Sequence, residues 1–279
     1  MGKIVLGLAA PHNPNITSRP DSMTDDEKHG VYGAFEQLRK SLSEASPDCL
    51  LILTTDHMTN FFYNNNPLFC LGVADTCEGP APKERARLGV ANATLKVDTQ
   101  MARGLLQYGI DNDIDFAYSQ EMILDHAYMV PLNFITPKMD LPIVPLHIGS
   151  LLPPCPTSRR CYQIGKQIAD YVEQQYDGRV AVLASGSLFS DVGGPTMGWV
   201  DTPFDMEFLG LVKDGNADEF AKRVTPETLK KGGVATELLA WVTLLGSIGN
   251  VKASFVDYIW AKQWGSGAAS FAVWNPTKL

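Results

Sequence analysis

Four short runs of apolar residues, separated by stretches of helical character, constrain the fold of this chain more than any other feature of its sequence. The runs cover residues 3–10, 48–54, 141–148 and 179–184. Each run is apolar on both faces, which is typical of central strands in a sheet that helices cover on both sides. The helical stretches cover residues 27–44, 100–108, 160–176 and 235–245. Strands that alternate with helices predict an α/β fold with a mainly parallel central sheet.

Two further runs, residues 254–259 and 268–274, predict late strands that form an antiparallel edge of the sheet. The sequence shows no internal repeat, no low-complexity segment and no boundary between domains. We therefore expect residues 1–279 to form a single α/β domain, with helices on both faces of its sheet.

The composition limits the classes of function. Of 279 residues, 45% are hydrophobic and 19% are charged, so a full core is available. The net charge of −8, without a basic stripe, argues against a nucleic-acid partner. The five cysteines are odd in number and lack C-x-x-C spacing, which favours reduced thiols. Since no apolar run is long enough to cross a bilayer, we expect a cytoplasmic protein without a membrane partner.

Two of the five histidines occupy equivalent places in the pattern of strands. His12 follows the first apolar run in the sequence Ala-Pro-His-Asn-Pro, and His57 follows the second in Thr-Thr-Asp-His. Ligands of open α/β sheets bind outside the carboxyl ends of the strands, so the two imidazoles are placed to converge there. Taken alone, each is better interpreted as a loop histidine that is hydrogen-bonded to the backbone.

Glu237 makes the convergence of the two histidines more informative. It is the only charged residue in the apolar segment of residues 232–251, which predicts a buried helix. A lone buried carboxylate costs several kcal/mol unless it is paired, protonated or metal-bound. A Lys or Arg from elsewhere would serve as its partner. Two neutral imidazoles and a carboxylate would instead form the facial triad of non-haem Fe(II) oxygenases.

A series of short motifs carries a resemblance to a known family. They are the strand end at His12, Asp56-His57 with Phe61-Phe62, Asp125-His126 with Val130-Pro131-Leu132, residues 156–162 (PTSRRCY), Gly194-Pro195, Gly198, Phe204-Asp205 and Glu237. In order and spacing, the chain resembles the type III extradiol ring-cleavage dioxygenases, the family of the protocatechuate 4,5-dioxygenase beta subunit. The resemblance covers nearly the whole chain and implies a single catalytic domain of that type.

The resemblance also implies a cofactor and a reaction. The family's iron ligands fall on His12, His57 and Glu237. In that family, Fe(II) binds an aromatic diol or aminophenol through two adjacent heteroatoms, and O₂ is used to cut the ring beside an oxygenated carbon. The expected substrate is a small aromatic or heteroaromatic compound. By the same analogy, we expect a homo-oligomer or an assembly with a related subunit.

One position departs from the family pattern. The family's acid–base histidine falls on Ser190, and a serine relays protons but is not a base of suitable pKa near neutral pH. General acid–base assistance is typically worth about 10²–10⁴-fold in rate, so another group is needed. The candidates are Asp191, which is adjacent, and His126, which falls on a family histidine that contacts substrate and oxygen. Alternatively, the substrate supplies its own acidic proton, or the chain has no ring-cleaving activity.

Further residues are candidates for contact with the substrate. Tyr128 is placed either to donate to a substrate oxygen or to pack in the core. Asp56 is either an orienting group for a ligand or a turn residue at a strand end. The positions that line the family's substrate pocket are Trp260, Trp264 and Gly265.

Two other functions stay open at this point. Some members of the family pair an active chain with a related inactive one, so this chain could be a silent or regulatory subunit. A non-oxidative metalloprotein is the other alternative, because Zn²⁺ accepts the same three ligands.

Overall fold

The computed structural model describes residues 1–192, 194–231, 235–265 and 267–276. The strands of this part are β1 (Lys3–Ala10), β2 (Cys49–Thr54), β3 (Phe69–Gly72), β4 (Thr76–Gly79), β5 (Ala93–Lys96), β6 (Ala117–Ser119), β7 (Ile143–Ile148), β8 (Arg179–Ser185), β9 (Ala253–Ile259) and β10 (Ala269–Trp274). The α-helices are α1 (Asn15–Ser18), α2 (Asp25–Ala45), α3 (Thr99–Asp111), α4 (His126–Ile135), α5 (Ser158–Gln174), α6 (Thr202–Asp214), α7 (Ala217–Arg223), α8 (Pro226–Lys231) and α9 (Leu238–Ile248). Short 3₁₀ turns occupy Pro20–Ser22, Ala235–Glu237 and Lys262–Trp264.

The four apolar runs form the parallel centre of the sheet. The strand order is β6-β3-β7-β2-β8-β1-β10-β9, in which β7, β2, β8 and β1 are mutually parallel. Leu51 of β2, for example, lies between Val144 of β7 and Val182 of β8. Every residue of β2 and β7 is buried, as their apolar character on both faces predicts. The prediction of a mainly parallel central sheet is confirmed.

The edges of the sheet are antiparallel. β10 pairs with β1 and β9 pairs with β10, which confirms the two late strands. At the opposite edge, β3 runs antiparallel to β7, and β6 runs parallel to β3. A small separate sheet pairs β4 with β5. These four short strands were not predicted from the sequence.

Helices cover both faces of the sheet. The connection from β1 through α2 to β2 runs in one direction along the sheet, and the connection from β7 through α5 to β8 runs in the other. Because such crossovers are right-handed, α2 and α5 lie on opposite faces. α4 packs beside α2, and α9 packs beside α5. The start of α2 is fixed by a capping box, in which Thr24 and Glu27 satisfy each other's backbone N–H groups.

The contact between α5 and α9 is unusually close. A Cβ atom added at Gly165 of α5 would overlap the carbonyl oxygen of Thr243, and one added at Gly246 of α9 would overlap the carbonyl oxygen of Tyr162. The two helices therefore meet backbone to backbone, which fixes the position of α9 and of the residues that precede it.

Two further expectations from the sequence concern the cysteines and membrane-spanning helices. All five cysteines are free thiols, in agreement with the prediction of reduced cysteines. Within the part of the chain that the structure describes, no helix has both the length and the apolar character needed to cross a membrane.

Candidate metal centre

His12 and His57 meet at the carboxyl edge of the parallel strands. His12 follows β1 and His57 follows β2, and these two strands flank β8 in the sheet. Their ring centroids lie 5.0 Å apart. The placement follows from topology, because the carboxyl ends of parallel strands share one edge of the sheet.

Glu237 adds a carboxylate to this pair. Its Oε1 atom lies 3.2 Å from His12 Nε2 and 3.9 Å from His57 Nε2. Its Oε2 atom accepts the backbone N–H of Ser187 at 2.6 Å. The sequence predicted that Glu237 lies inside a helix. Instead, it ends the 3₁₀ turn directly before α9. The N-terminal end of a helix favours a negative charge, so this position stabilises the carboxylate.

The hydrogen bonds of His12 leave one ring nitrogen available as a ligand. Ser185 Oγ donates its proton to the carbonyl oxygen of Ala127 at 2.6 Å, so it accepts from His12 Nδ1–H at 3.1 Å. Nε2 then carries a lone pair, which faces Glu237 Oε1. Two lone pairs at that distance repel unless a proton or a cation lies between them. The donor set therefore fits a bound metal cation.

Two carboxylates hold the segment that carries His57. Asp56 accepts the backbone N–H groups of residues 59–61 at 2.9–3.1 Å and the side-chain amide of Asn60 at 2.8 Å. Asp125 Oδ2 accepts the backbone N–H of His57 at 2.7 Å and lies 3.5 Å from its Nδ1 atom. The imidazole is thus oriented by a loop with few free backbone groups, as ligand histidines usually are.

A third imidazole, His126, stands beside the other two. It is the first residue of α4, and its ring centroid lies 4.3 Å from that of His57 and 5.6 Å from that of His12. One nitrogen of each of the three rings lies within 4.8 Å of the others. His12 and His57 therefore have two possible third partners in a metal site, Glu237 and His126. Only Glu237 contributes a negative charge.

The electrostatics favour an ionised Glu237. Burial alone would raise the pKa of Glu237, but His12, His57 and the Ser187 N–H lower it to about 2. Burial lowers the pKa of His57, but neighbouring carboxylates, chiefly Asp125, outweigh this and raise it overall. The ionised carboxylate thus requires positive charge beside it, from a protonated imidazole or from a bound cation that leaves the imidazoles neutral.

A cavity of about 330 Å³ opens over these groups. This volume is at the lower end of the range of about 300–1,000 Å³ that is usual for small-molecule sites. The three imidazoles and Glu237 form part of its wall. The apolar part of the wall consists of Pro14, Leu151, Val192, Met197 and Trp264. Among the described residues, no Lys or Arg lines the cavity, so an apolar ring fits it better than a highly charged compound.

Some of the other residues singled out from the sequence lie in this wall. They are His126, Ser190, Trp264 and Gly265. A Cβ atom added at Gly267 would overlap the carbonyl oxygen of Phe189, so the segment of Ser190 packs closely on the chain that follows Gly265.

The remaining candidates lie outside the wall. Asp191 is buried but accepts the backbone N–H and the hydroxyl of Thr196, so it holds its own loop together. The Tyr128 hydroxyl lies 3.9 Å from Met122 Sδ in the core. Asp56 organises the loop of His57 rather than contacting the cavity, and Trp260 is 40% exposed.

Two contacts of the site were not foreseen from the sequence. Glu84 Oε1 lies 2.6 Å from His126 Nδ1, and the backbone N–H of Ser187 holds Glu237. Glu84 lies in the charged sequence Pro-Lys-Glu-Arg-Ala-Arg, which is typical of a solvated turn. Its burial comes from the fold alone, so no signal in the sequence identifies it.

Comparisons with known proteins place the sequence near a family of dioxygenases. Residues 6–271 match the model of a family described as the catalytic LigB subunit of aromatic ring-opening dioxygenase. The chain is 31% identical over 198 residues to a 2,3-dihydroxyphenylpropionate/2,3-dihydroxicinnamic acid 1,2-dioxygenase of Photorhabdus laumondii, covering 71% of this chain and 59% of that protein. It is 29% identical over 205 residues to the Klebsiella pneumoniae protein of the same name, covering 73% of this chain and 62% of the relative. The chain thus spans about three-fifths of the length of these relatives.

A solved structure supports the fold separately. The crystal structure of an uncharacterized protein from Escherichia coli K12 matches with a TM-score of 0.62 at 14% identity, covering 96% of this chain and 99% of the other. The family match extends over nearly the whole chain and agrees with the resemblance found in its motifs. This chain therefore belongs to the family of the catalytic LigB subunit of aromatic ring-opening dioxygenases.

Proposed function

We propose that this chain is a non-haem Fe(II) dioxygenase that uses O₂ to cleave a small aromatic or heteroaromatic ring bearing adjacent hydroxyl or amino donors. One observation carries the proposal: two histidines and an ionised carboxylate face one another at the base of a small, largely apolar cavity. Two neutral nitrogens and one anionic oxygen on one side of a metal leave its other positions open.

In this proposal, His12, His57 and Glu237 hold the metal. Bound Fe(II) would supply the site at which adjacent substrate donors and O₂ come together. The protein residues prepare that site in advance, since Ser187 fixes the carboxylate and Asp125 fixes the segment of His57. Trp264 and Leu151 belong to the apolar wall that would hold the ring and exclude water.

Proton transfer falls to His126 in this proposal. Ser190 stands in the wall where the family resemblance places an acid–base histidine, and a serine does not replace a base. Asp191 is engaged by Thr196, away from the cavity. His126 is the remaining imidazole of the cavity besides the two proposed ligands, among the residues described. It therefore takes the acid–base role.

The test is O₂ consumption by chain that has been loaded with Fe(II) under anaerobic conditions. A panel of catechols, aminophenols and hydroxypyridines covers the substrate class, and ring-opened product is followed by absorbance. Chain loaded with Zn(II) is the control, and it should consume no O₂. If Fe(II) binds stoichiometrically and no compound of the class is opened, a silent subunit becomes the better description. If only Zn(II)-loaded chain turns over a substrate, the chain is better described as a non-oxidative metalloprotein.

The proposed partners are the aromatic substrate and O₂, together with a second copy of this chain or a related subunit. Gel filtration with light scattering tests the assembly. It does not bear on the ring-cleavage proposal, because the proposed ligands all come from one chain.

A further inference from the structure

His126, which lies beside the proposed ligands, makes a short contact with a buried carboxylate that is not part of the proposed ligand set. Glu84 Oε1 lies 2.6 Å from His126 Nδ1, and the side chains are only 7% and 13% exposed. Glu84 lies in the turns between β4 and β5, far from His126 in sequence. The contact is therefore a tertiary one, made between a loop and the first residue of α4.

This hydrogen bond determines which nitrogen of His126 is available to the cavity. A carboxylate only accepts, so Nδ1 must carry the proton that Glu84 receives. In neutral imidazole, Nε2 then bears the lone pair. A histidine in an acid–base role needs one defined nitrogen and one ring orientation, and carboxylate partners commonly provide both.

Among the described residues, the Glu84 carboxylate makes no side-chain hydrogen bond other than the one to His126. This holds although Arg19 and Arg87 line a second cavity together with Glu84. The Glu84 Oε2 atom is buried and has no hydrogen-bond partner in the part of the chain that the structure describes. A buried carboxylate with a single partner is costly in free energy. Buried polar atoms without partners are rare, so each one calls for an explanation.

We propose that Glu84 is a positioning residue, which fixes His126 in the Nδ1–H tautomer and presents Nε2 to the cavity. The tautomer part of the inference stands on the contact itself, whereas the effect on turnover rests on the proposed function. Since the position of the family's acid–base histidine is Ser190 here, His126 would carry a larger share of proton transfer, and its orientation would matter more.

The direct test is nitrogen NMR of the imidazoles. The chain has five histidines, so ¹⁵N-labelled, Zn(II)-loaded protein gives few signals, and the His126→Asn spectrum assigns that of His126. We expect the wild type to show His126 with its proton on Nδ1, and Glu84→Ala to show a mixture of tautomers. Glu84→Gln keeps a carbonyl acceptor and should retain mostly Nδ1–H. Circular dichroism checks that each variant is folded. A wild-type proton on Nε2, or a tautomer that both variants leave unchanged, would overturn the proposal.

The kinetic test separates positioning from a general structural role. In Fe(II)-loaded chain, Glu84→Ala should lower kcat by about 10–100-fold, the usual effect of losing such a partner. KM for the same catechol should change by less than about twofold, and bound iron should stay near one per chain. Glu78→Ala is the matched control, because Glu78 is exposed and pairs only with Arg85 at 3.5 Å. A fall in iron content that matches the fall in kcat would contradict the proposal. If no chain consumes O₂, the function fails while the NMR result still decides the tautomer.

Discussion

The two possible third partners of the metal, Glu237 and His126, make opposite predictions for metal affinity. Both lie close to His12 and His57, so position does not separate them. Charge does. We predict that Glu237→Gln weakens Fe(II) binding severely, whereas His126→Gln leaves it nearly unchanged.

The magnitude follows from the electrostatics of the site. A divalent ion and a carboxylate oxygen about 2.1 Å apart attract each other by about 4 kcal/mol even with the dielectric constant of water. The effective dielectric constant here is lower, because the Glu237 side chain is only 8% exposed. Folding has already removed the carboxylate from water and fixed it with the Ser187 N–H, so metal binding does not have to supply that cost. A loss of about 4 kcal/mol corresponds to a Kd about 10³-fold higher.

The assay is anaerobic titration with Fe(II) against a chromogenic chelator of known affinity. Wild type, Glu237→Gln and His126→Gln are compared after circular dichroism has shown that each is folded. Stoichiometric iron in Glu237→Gln, with a Kd within tenfold of wild type, would refute the charge argument. If His126→Gln instead loses the metal, the three imidazoles form the centre, and His126 is not the proton-transfer group.

Three further predictions concern the acid–base corner and one buried carboxyl. His126→Ala should lower kcat by about 10²–10⁴-fold, while Asp191→Asn should change it little in a folded variant; equal losses in steady-state O₂ uptake would contradict this assignment. Ser190→His should speed cleavage of simple catechols, and if it leaves them inert while wild type opens another compound, the pocket serves different oxygen chemistry. Burial raises the pKa of Asp205 to about 7 from an ordinary value of 3.8, so the folded chain keeps a proton that the unfolded chain releases. The contribution of Asp205 to the free energy of unfolding should be greatest below pH 4 and fall by up to about 4 kcal/mol as pH rises to 7; Asp205→Asn should remove that part of the pH dependence in urea unfolding at pH 5 and 8, and identical profiles for wild type and variant would refute it.

The parallel centre of the fold was predictable because each central strand is buried on both faces. β2 has the sequence Cys-Leu-Leu-Ile-Leu-Thr, which predicts a strand that is covered on both faces. The missed strands are short and depend on their neighbours. β6 has only three residues, none of them fully buried, and β4 alternates between exposed and buried positions. Tertiary pairing rather than local pattern makes these segments strands.

The candidate site was only partly predictable, and for a related reason. His12 and His57 lie where strands end, so a correct set of strands brings them to one edge. Glu237 was conspicuous as a lone charge in an apolar segment. Glu84, by contrast, belongs to a segment that is rich in charge and has no apolar pattern. Glu84 and its partner His126 are far apart in sequence and come together only in the folded chain, so no local pattern predicts their contact.

Close backbone contacts hold the segment of Ser190, the position on which the family resemblance places an acid–base histidine. The Phe189 N–H donates to Asp205 Oδ1 at 3.0 Å, and Gly267 packs against the carbonyl oxygen of Phe189. The backbone that carries Ser190 is therefore held from two sides. A histidine or a serine there would stand on the same supported backbone, so the difference lies in the chemistry of the side chain. In the proposed function, a serine in that wall lacks a base but leaves the wall in place, and proton transfer would fall to His126, the imidazole that the buried Glu84 carboxylate contacts.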